Sequence, residues 1–187
     1  MRPLLILCLG NEVLSDDAFG YYMARKLLES DVGERADIIY ASLAGFNLLD
    51  LFMERKRVLI IDAILTGHAD AGTLHFFPIG ELVPTRQLVS SHQISLPTAL
   101  RLAELMDIEM PEVIEVMAIE AQDVWTLSEE MTEPIKQAVP DAFMRARQWV
   151  DKHAKESVSN GTREFVAAIP GGSAQSLSGM SGTRLGR

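Results

Sequence analysis

The stretch "LLILCLGNEVLSDDAFG", residues 4–20, decides how the fold of this chain begins. Residues 4–10 form a continuous apolar run, which is typical of a strand covered on both faces of a parallel sheet. Two adjacent carboxylates, Asp16 and Asp17, follow this run, and apolar residues then recur at intervals of four. This spacing predicts a helix over residues 16–30, with the acids at its N-terminal end. We therefore expect a strand-to-helix unit with two carboxylates at the turn.

The rest of the chain continues this alternation of strands and helices. Further strands are predicted from the runs "ADIIYAS" (36–42), "RVLIIDAIL" (57–65), "GTLHFFPI" (72–79) and "EVIEVMAIEA" (112–121). The third of these alternates in polarity, as an edge or antiparallel strand does. Helical patterns cover residues 45–55, 95–107 and about 128–154, the last with Ser128 as N-cap and a kink near Pro140. The order β-α-β-α-β-β-α-β-α predicts an α/β fold, a three-layer sandwich with a mainly parallel central sheet of about five strands and helices on both faces.

The composition is that of a soluble globular chain of one-domain length. The chain has 187 residues, of which 48% are hydrophobic and 23% charged. Its net charge of −9 argues against a nucleic-acid partner, because neutralising phosphates requires clustered Lys and Arg. The only cysteine, Cys8, excludes a disulfide framework and favours a reducing cytoplasm. The apolar N-terminal stretch is too short to span a membrane and lacks a signal-peptide cleavage site, so we expect a cytoplasmic protein with no membrane partner.

The composition changes near residue 157. The segment "SVSNGTREFVAAIPGGSAQSLSGMSGTRLGR" is rich in Ser and Gly and holds a single acid. Such a segment can bury little apolar surface. We therefore predict one α/β domain over residues 1–156 and a disordered Gly/Ser-rich tail over residues 157–187.

Candidate functional side chains follow three of the predicted elements. Asp16 and Asp17 follow the first strand, Asp62 lies near the end of the third, and His92 lies in the loop before the third helix. In an open α/β sheet, functional groups gather at the carboxyl ends of the strands. Two carboxylates and an imidazole form a mixed O/N set that suits a divalent transition metal with open coordination positions.

Each of these residues also has a structural interpretation. Asp16 can be the N-cap of the first helix, and Asp17 can serve the helix dipole alone. Asp62 can belong to a structural ion pair, although a carboxylate inside an apolar strand is costly without a use. A loop histidine such as His92 is commonly structural or solvated. The remaining histidines are interpreted as incidental: His68, His75 and His153.

Several other kinds of site are disfavoured by the motifs that the sequence lacks. The turn after the first strand has neither G-x-G-x-x-G nor G-K-[ST], and its acidic character disfavours a flavin phosphate. No G-x-S-x-G elbow occurs, so Ser91 beside His92 does not indicate a serine hydrolase. Cys8 lies inside a predicted strand, which disfavours a cysteine peptidase.

Four segments, in order, resemble the hydrogenase maturation peptidase family. "GNEVLSDDAFG" is similar to the family signature G-N-x-L-x-x-D-[DE]-G-x-G, and "VLIIDAI" resembles its strand that ends in Asp-Ala. "SSHQISL" resembles its S-x-H-x-x-x-L segment, and "AIEAQDVWTLSEEM" its I-E-P…W…G-L-S stretch. The order and spacing agree over about residues 3–150.

This resemblance implies a function and a set of site residues. The family has a three-layer α/β fold, and its enzymes remove a C-terminal extension from the nickel-loaded precursor of a [NiFe] hydrogenase large subunit. Carried over by position, Asp17, Asp62 and His92 are the metal-contacting and catalytic residues of a metal-dependent endopeptidase. Asp16 is then a helix cap or a neighbour of the ligands. The resemblance also implies that the nickel arrives with the precursor, and that other divalent metals can occupy the site of the isolated protein.

The sequence departs from the family pattern at three places. Ala18 replaces a usual Gly, Ser42-Leu43 replaces Gly-Thr, and no Pro follows Glu120. The altered loop at residues 42–43 leaves a second hypothesis open. In that hypothesis the chain is a non-catalytic, chaperone-like member that binds a metalloprotein precursor without cutting it.

Overall fold

A computed structural model describes residues 3–42, 48–81 and 96–167, with side chains described as far as residue 155 except that of residue 97. Its centre is a five-stranded sheet with the strand order β2-β1-β3-β5-β4. All neighbouring strands run parallel except β4, which is antiparallel to β5 at one edge. The strands are β1 (Leu4–Leu9), β2 (Asp37–Ala41), β3 (Arg57–Ile64), β4 (Leu74–Pro78) and β5 (Val113–Glu120). The predicted α/β class and the antiparallel edge strand are confirmed.

The helices follow the predicted order. They are α1 (Phe19–Leu28), α2 (Leu49–Phe52), α3 (Leu96–Leu105) and α4 (Glu133–Ala167), with 3-10 turns at Ser15–Ala18, Asp31–Glu34 and Ile79–Glu81. The described part of α2 is shorter than the predicted residues 45–55. Pro140 lies inside α4.

The predicted N-terminus of the last helix is wrong. The hydroxyl of Ser128 accepts from the backbone N–H of Glu130, and Ser128 forms an isolated bridge with Leu14. The helical bonding begins later, where the carbonyl of Thr132 accepts from Lys136. Ser128 therefore opens a turn rather than the helix. The backbone of α4 continues through Ala167, past the predicted end at 154 and into the segment that was predicted to be a tail. The domain boundary at 156 stays a prediction. Residues 168–187 lie outside the described part of the chain.

Two apolar cores lie on opposite faces of the sheet, which gives the three predicted layers. The face covered by α1 and α4 includes Leu59 and Ile61 of β3, packed with the α1 residues spaced by four: Phe19, Met23 and Leu27. The face covered by α2 and α3 includes Val58 and Ile60. This alternation follows from the two-residue period of a strand. No helix among the described residues is long and apolar enough to cross a membrane.

Candidate functional site

The carboxyl ends of β1 and β3 lie side by side at the point of the sheet where the chain connections diverge. From β1 the chain passes through α1 to β2 on one side, whereas from β3 it proceeds to β4 and β5 on the other. Such a switch point is the usual place for a ligand site in an open α/β sheet. The last residue of β1 that pairs with β3 is Cys8, opposite Ile61, while β3 continues to Ile64. Strand β3 therefore extends past the end of β1 at this switch point.

Asp17 lies on the β1 side of this switch point. The 15–18 turn folds back onto the end of β1, and the backbone N–H of Asn11 donates to the carbonyl of Asp17 at 3.1 Å. Gly10 has a φ of +143°, and a Cβ there would lie 2.1 Å from the Asp17 carbonyl oxygen and 3.7 Å from its Oδ1. The glycine thus permits a close approach that no side chain could share. Asp17 is held against the end of β1 with only 3% of its surface exposed.

Asp62 lies on the β3 side. It is fully buried, and its Oδ1 accepts a 2.7 Å hydrogen bond from the backbone N–H of Ala63. Burial, and after it the negative charge of Asp62, raises the pKa of the Cys8 thiol on the neighbouring strand. A thiol so disfavoured from ionising is no nucleophile, as expected from its place inside a strand.

Asp16 is not the N-cap of the first helix, so that interpretation is wrong. The N-cap of α1 is Ala18, and it makes no side-chain cap bond. The fully buried Asp16 carboxylate instead accepts from the backbone N–H groups of Gln122 (2.9 Å), Asp123 (2.8 Å) and Thr132 (2.7 Å), and from the Thr132 hydroxyl (3.0 Å). Asp16 therefore fastens the connection after β5 to the turn that carries Asp17.

A further buried carboxylate, Glu120, was missed in the sequence. It is 1% exposed at the end of β5. Its oxygens accept from the backbone N–H of Thr66 (2.7 Å), the Thr66 hydroxyl (2.8 Å) and the backbone N–H of Gly67 (2.9 Å). His75 of β4 lies 3.3 Å away, so this histidine is not incidental. The criterion that singled out Asp62, an acid inside an apolar run, applies equally to "VMAIEA".

Asp62 and Glu120 lie on the same face of the sheet. In the register of β3 with β5, Asp62 is opposite Ala118 and Ile64 is opposite Glu120. Residues offset by two positions on adjacent strands share a face. Glu120 thus holds the loop that leaves β3 just after Asp62.

The structure places two of the predicted site residues near each other in the sheet: Asp17 lies against the end of β1, and Asp62 lies near the end of the neighbouring strand β3. His92 lies outside the described residues, so the predicted set of three is not tested. Among the described residues no group of three or more His, Cys, Asp and Glu side chains is placed to hold a metal ion. The donor chemistry of two buried carboxylates is compatible with a divalent transition metal, provided that a third donor comes from elsewhere.

One protein-family model matches the chain, that of the hydrogenase maturation proteases, over residues 22–149. The matched range includes Asp62 and His92 and begins after Asp17. No curated protein sequence matches the chain.

Several solved structures share the fold. The hydrogenase maturating endopeptidase HybD from E. coli is 21% identical, with a TM-score of 0.68 over 82% of this chain and 94% of that one. The [NiFe] hydrogenase maturation protease HybD from Thermococcus kodakarensis is 24% identical, with a TM-score of 0.61 over 80% and 99%. The endopeptidase HycI from Escherichia coli is 22% identical, with a TM-score of 0.59 over 80% and 91%. At these identities the similarity establishes the fold alone.

Proposed function

This chain belongs to the hydrogenase maturation protease family, and we propose that it removes a C-terminal extension from the nickel-loaded precursor of a [NiFe] hydrogenase large subunit. The observation that carries the proposal is the pair of buried carboxylates, Asp17 and Asp62, at the carboxyl ends of the neighbouring strands β1 and β3. Buried acids at the carboxyl ends of strands, beside a switch point of the sheet, are typical of a functional site. A precursor that brings its own metal supplies a cation that the two carboxylates can bind.

We assign the contact with that metal to Asp17, Asp62 and His92. The assignment rests on the position of both acids beside the switch point and on the resemblance of the segment around His92 to the family pattern. Nickel is part of the substrate in this proposal, and a divalent metal contributes Lewis-acid chemistry near the scissile peptide. The carboxylates provide anionic oxygen donors, and their burial keeps the surrounding dielectric low.

We assign Asp16 a supporting role and not a direct one in the reaction. Both of its carboxylate oxygens already accept hydrogen bonds from the connection after β5. A general base needs an oxygen within reach of the attacking water. Asp16 supports the site only by holding the backbone around Asp17.

The experiment is incubation of the purified protein with a nickel-loaded large-subunit precursor, followed by mass measurement of the precursor. We expect the precursor to lose the mass of its C-terminal extension, and the nickel-free precursor to remain uncut. Asp17→Asn, Asp62→Asn and His92→Ala should each abolish cleavage while the melting temperature stays near that of the wild type.

Asp141→Asn is the matched control, because Asp141 is an exposed helix residue whose carboxylate pairs only with Arg145 among the contacts described. This variant should cleave at the wild-type rate. Binding of the loaded precursor without any cleavage would overturn the proposal in favour of the chaperone-like alternative. Full cleavage by Asp17→Asn would overturn the assignment of that residue.

A further inference from the structure

Three exposed apolar residues lie in two loops that are hydrogen-bonded to each other beside the candidate site. We name them the apolar rim: Val13, Trp125 and Leu127, which are 39%, 74% and 78% exposed. A single exposed apolar residue is ordinary. An exposed tryptophan that shares a pair of bonded loops with other exposed apolar residues is typical of a binding surface. The side chains come from two loops, one after β1 and one after β5.

Backbone hydrogen bonds hold these two loops together. Leu14 forms an isolated bridge with Leu127 and Ser128, and the N–H of Ser128 donates to the carbonyl of Val13 at 3.0 Å. The Asp123 carboxylate accepts from the N–H groups of Trp125 (2.9 Å) and Thr126 (3.0 Å). The backbone that carries the rim is therefore already ordered, so docking of a partner costs little conformational entropy in these loops.

The same two loops are hydrogen-bonded to the turn at Ser15–Ala18, which carries Asp17. The N–H of Ser15 donates to the carbonyl of Ser128 at 2.8 Å, and the N–H of Asp16 donates to the carbonyl of Asp123 at 2.9 Å. Asp17 is the next residue. The two rim loops are therefore hydrogen-bonded to the turn that carries Asp17, and a protein seated on the rim would lie near that turn.

The charges beside the rim are mainly acidic. Glu12, Val13 and Glu129 line one shallow cavity, together with Arg25, whose guanidinium lies over the ring of Tyr21. Glu12 and Glu129 are exposed. An apolar centre with carboxylates at its margin is complementary to an apolar patch flanked by Lys or Arg.

We propose that the apolar rim is the docking surface for the folded body of the metal-loaded precursor, which contacts it through an apolar patch flanked by basic side chains. This inference rests on the proposed function. The rim supplies affinity for the whole precursor and positions its C-terminal extension near the turn that carries Asp17, whereas the chemistry belongs to the residues assigned to the metal.

The test compares the double variant Trp125→Gln/Leu127→Gln with the control Met144→Gln, which alters an exposed apolar residue on α4. Cleavage kinetics use the nickel-loaded precursor, and binding is measured with the same precursor and the Asp62→Asn form of each protein. We expect KM and Kd to rise about tenfold in the double variant with kcat unchanged, because buried aromatic anchors carry much of an interface's affinity. The control should change neither constant, and the melting temperature should stay the same in both.

The outcomes separate the two proposals. Unchanged KM and Kd in the double variant would overturn the docking inference while leaving the protease intact. Binding that depends on the rim, without cleavage by the wild type, would support docking and overturn the proposed function. No binding and no cleavage would overturn both. A wild-type dimer that the double variant converts to a monomer, with KM unaltered, would assign the rim to self-association instead.

Discussion

Two neighbouring residues, Asp16 and Asp17, have the same side chain and different tasks. Asp16 points into the connection after β5 and satisfies four donors there. Asp17 lies at the end of β1, beside the switch point of the sheet. Buried peptide N–H groups need acceptors, and Asp16 is the acceptor for those of Gln122, Asp123 and Thr132. The structural duty of Asp16 is what leaves Asp17 as the candidate for chemistry.

We expect Asp16→Ala to lower the free energy of unfolding by about 3 kcal/mol, because buried donors lose their acceptor. Urea denaturation followed by circular dichroism measures the change. Asp141→Ala serves as the control and should cost no more than about 0.5 kcal/mol, as expected for an exposed pair within a helix. A loss of less than about 1 kcal/mol for Asp16→Ala would show that water replaces the carboxylate.

At the scale of elements, helix α1 approaches strand β1 so closely that one residue decides the contact. A Cβ at Gly20 would lie 1.9 Å from the carbonyl oxygen of Leu9. Two non-bonded atoms cannot be this close, so any side chain at this position would force the backbone to shift. The glycine therefore sets the separation of α1 from β1. Because the 15–18 turn begins this helix, the same contact positions Asp17 over the end of the strand.

Gly20→Ala should lower the free energy of unfolding by about 3 kcal/mol or more, because the clash involves backbone on both sides. Gly33→Ala is the matched control: its nearest neighbour would be at 3.6 Å, an ordinary contact. We expect that variant to be neutral or slightly stabilised, through the reduced entropy of the unfolded chain. Equal effects of the two substitutions, measured by urea denaturation, would contradict the close approach of α1 to β1.

At the scale of the whole molecule, we expect a reagent to reach the buried side chains of the central strand β1 only when the protein unfolds. Cys8 is fully buried in the core on the face covered by α1 and α4, and its strand is flanked by β2 and β3. Its raised pKa, caused first by burial and then by the charge of Asp62, keeps the thiol protonated. Reaction with an alkylating reagent needs both exposure and the thiolate.

We therefore expect native protein at pH 8 to resist iodoacetamide and the protein in guanidinium to react fully at Cys8. Intact mass measured over time gives the labelled fraction. At intermediate denaturant concentrations, the rate of labelling should be proportional to the unfolded population. Fast labelling under native conditions would mean that β1 opens locally, which a central strand with two paired neighbours should not do.

The alternation of apolar runs and helical periods determined the fold class and strand positions from the sequence alone, because both signals are local. The same local pattern marked Asp62, an acid that no apolar strand accommodates without a reason. What the tertiary structure decided was which donors surround each acid. Asp16 was indistinguishable from a helix cap until the residues it binds, more than a hundred positions away, were brought beside it. Glu120 acquired its partners from the loop after β3 for the same reason. Hydrogen bonds between distant segments depend on how the strands are ordered in the sheet, and no periodicity along the chain encodes that order.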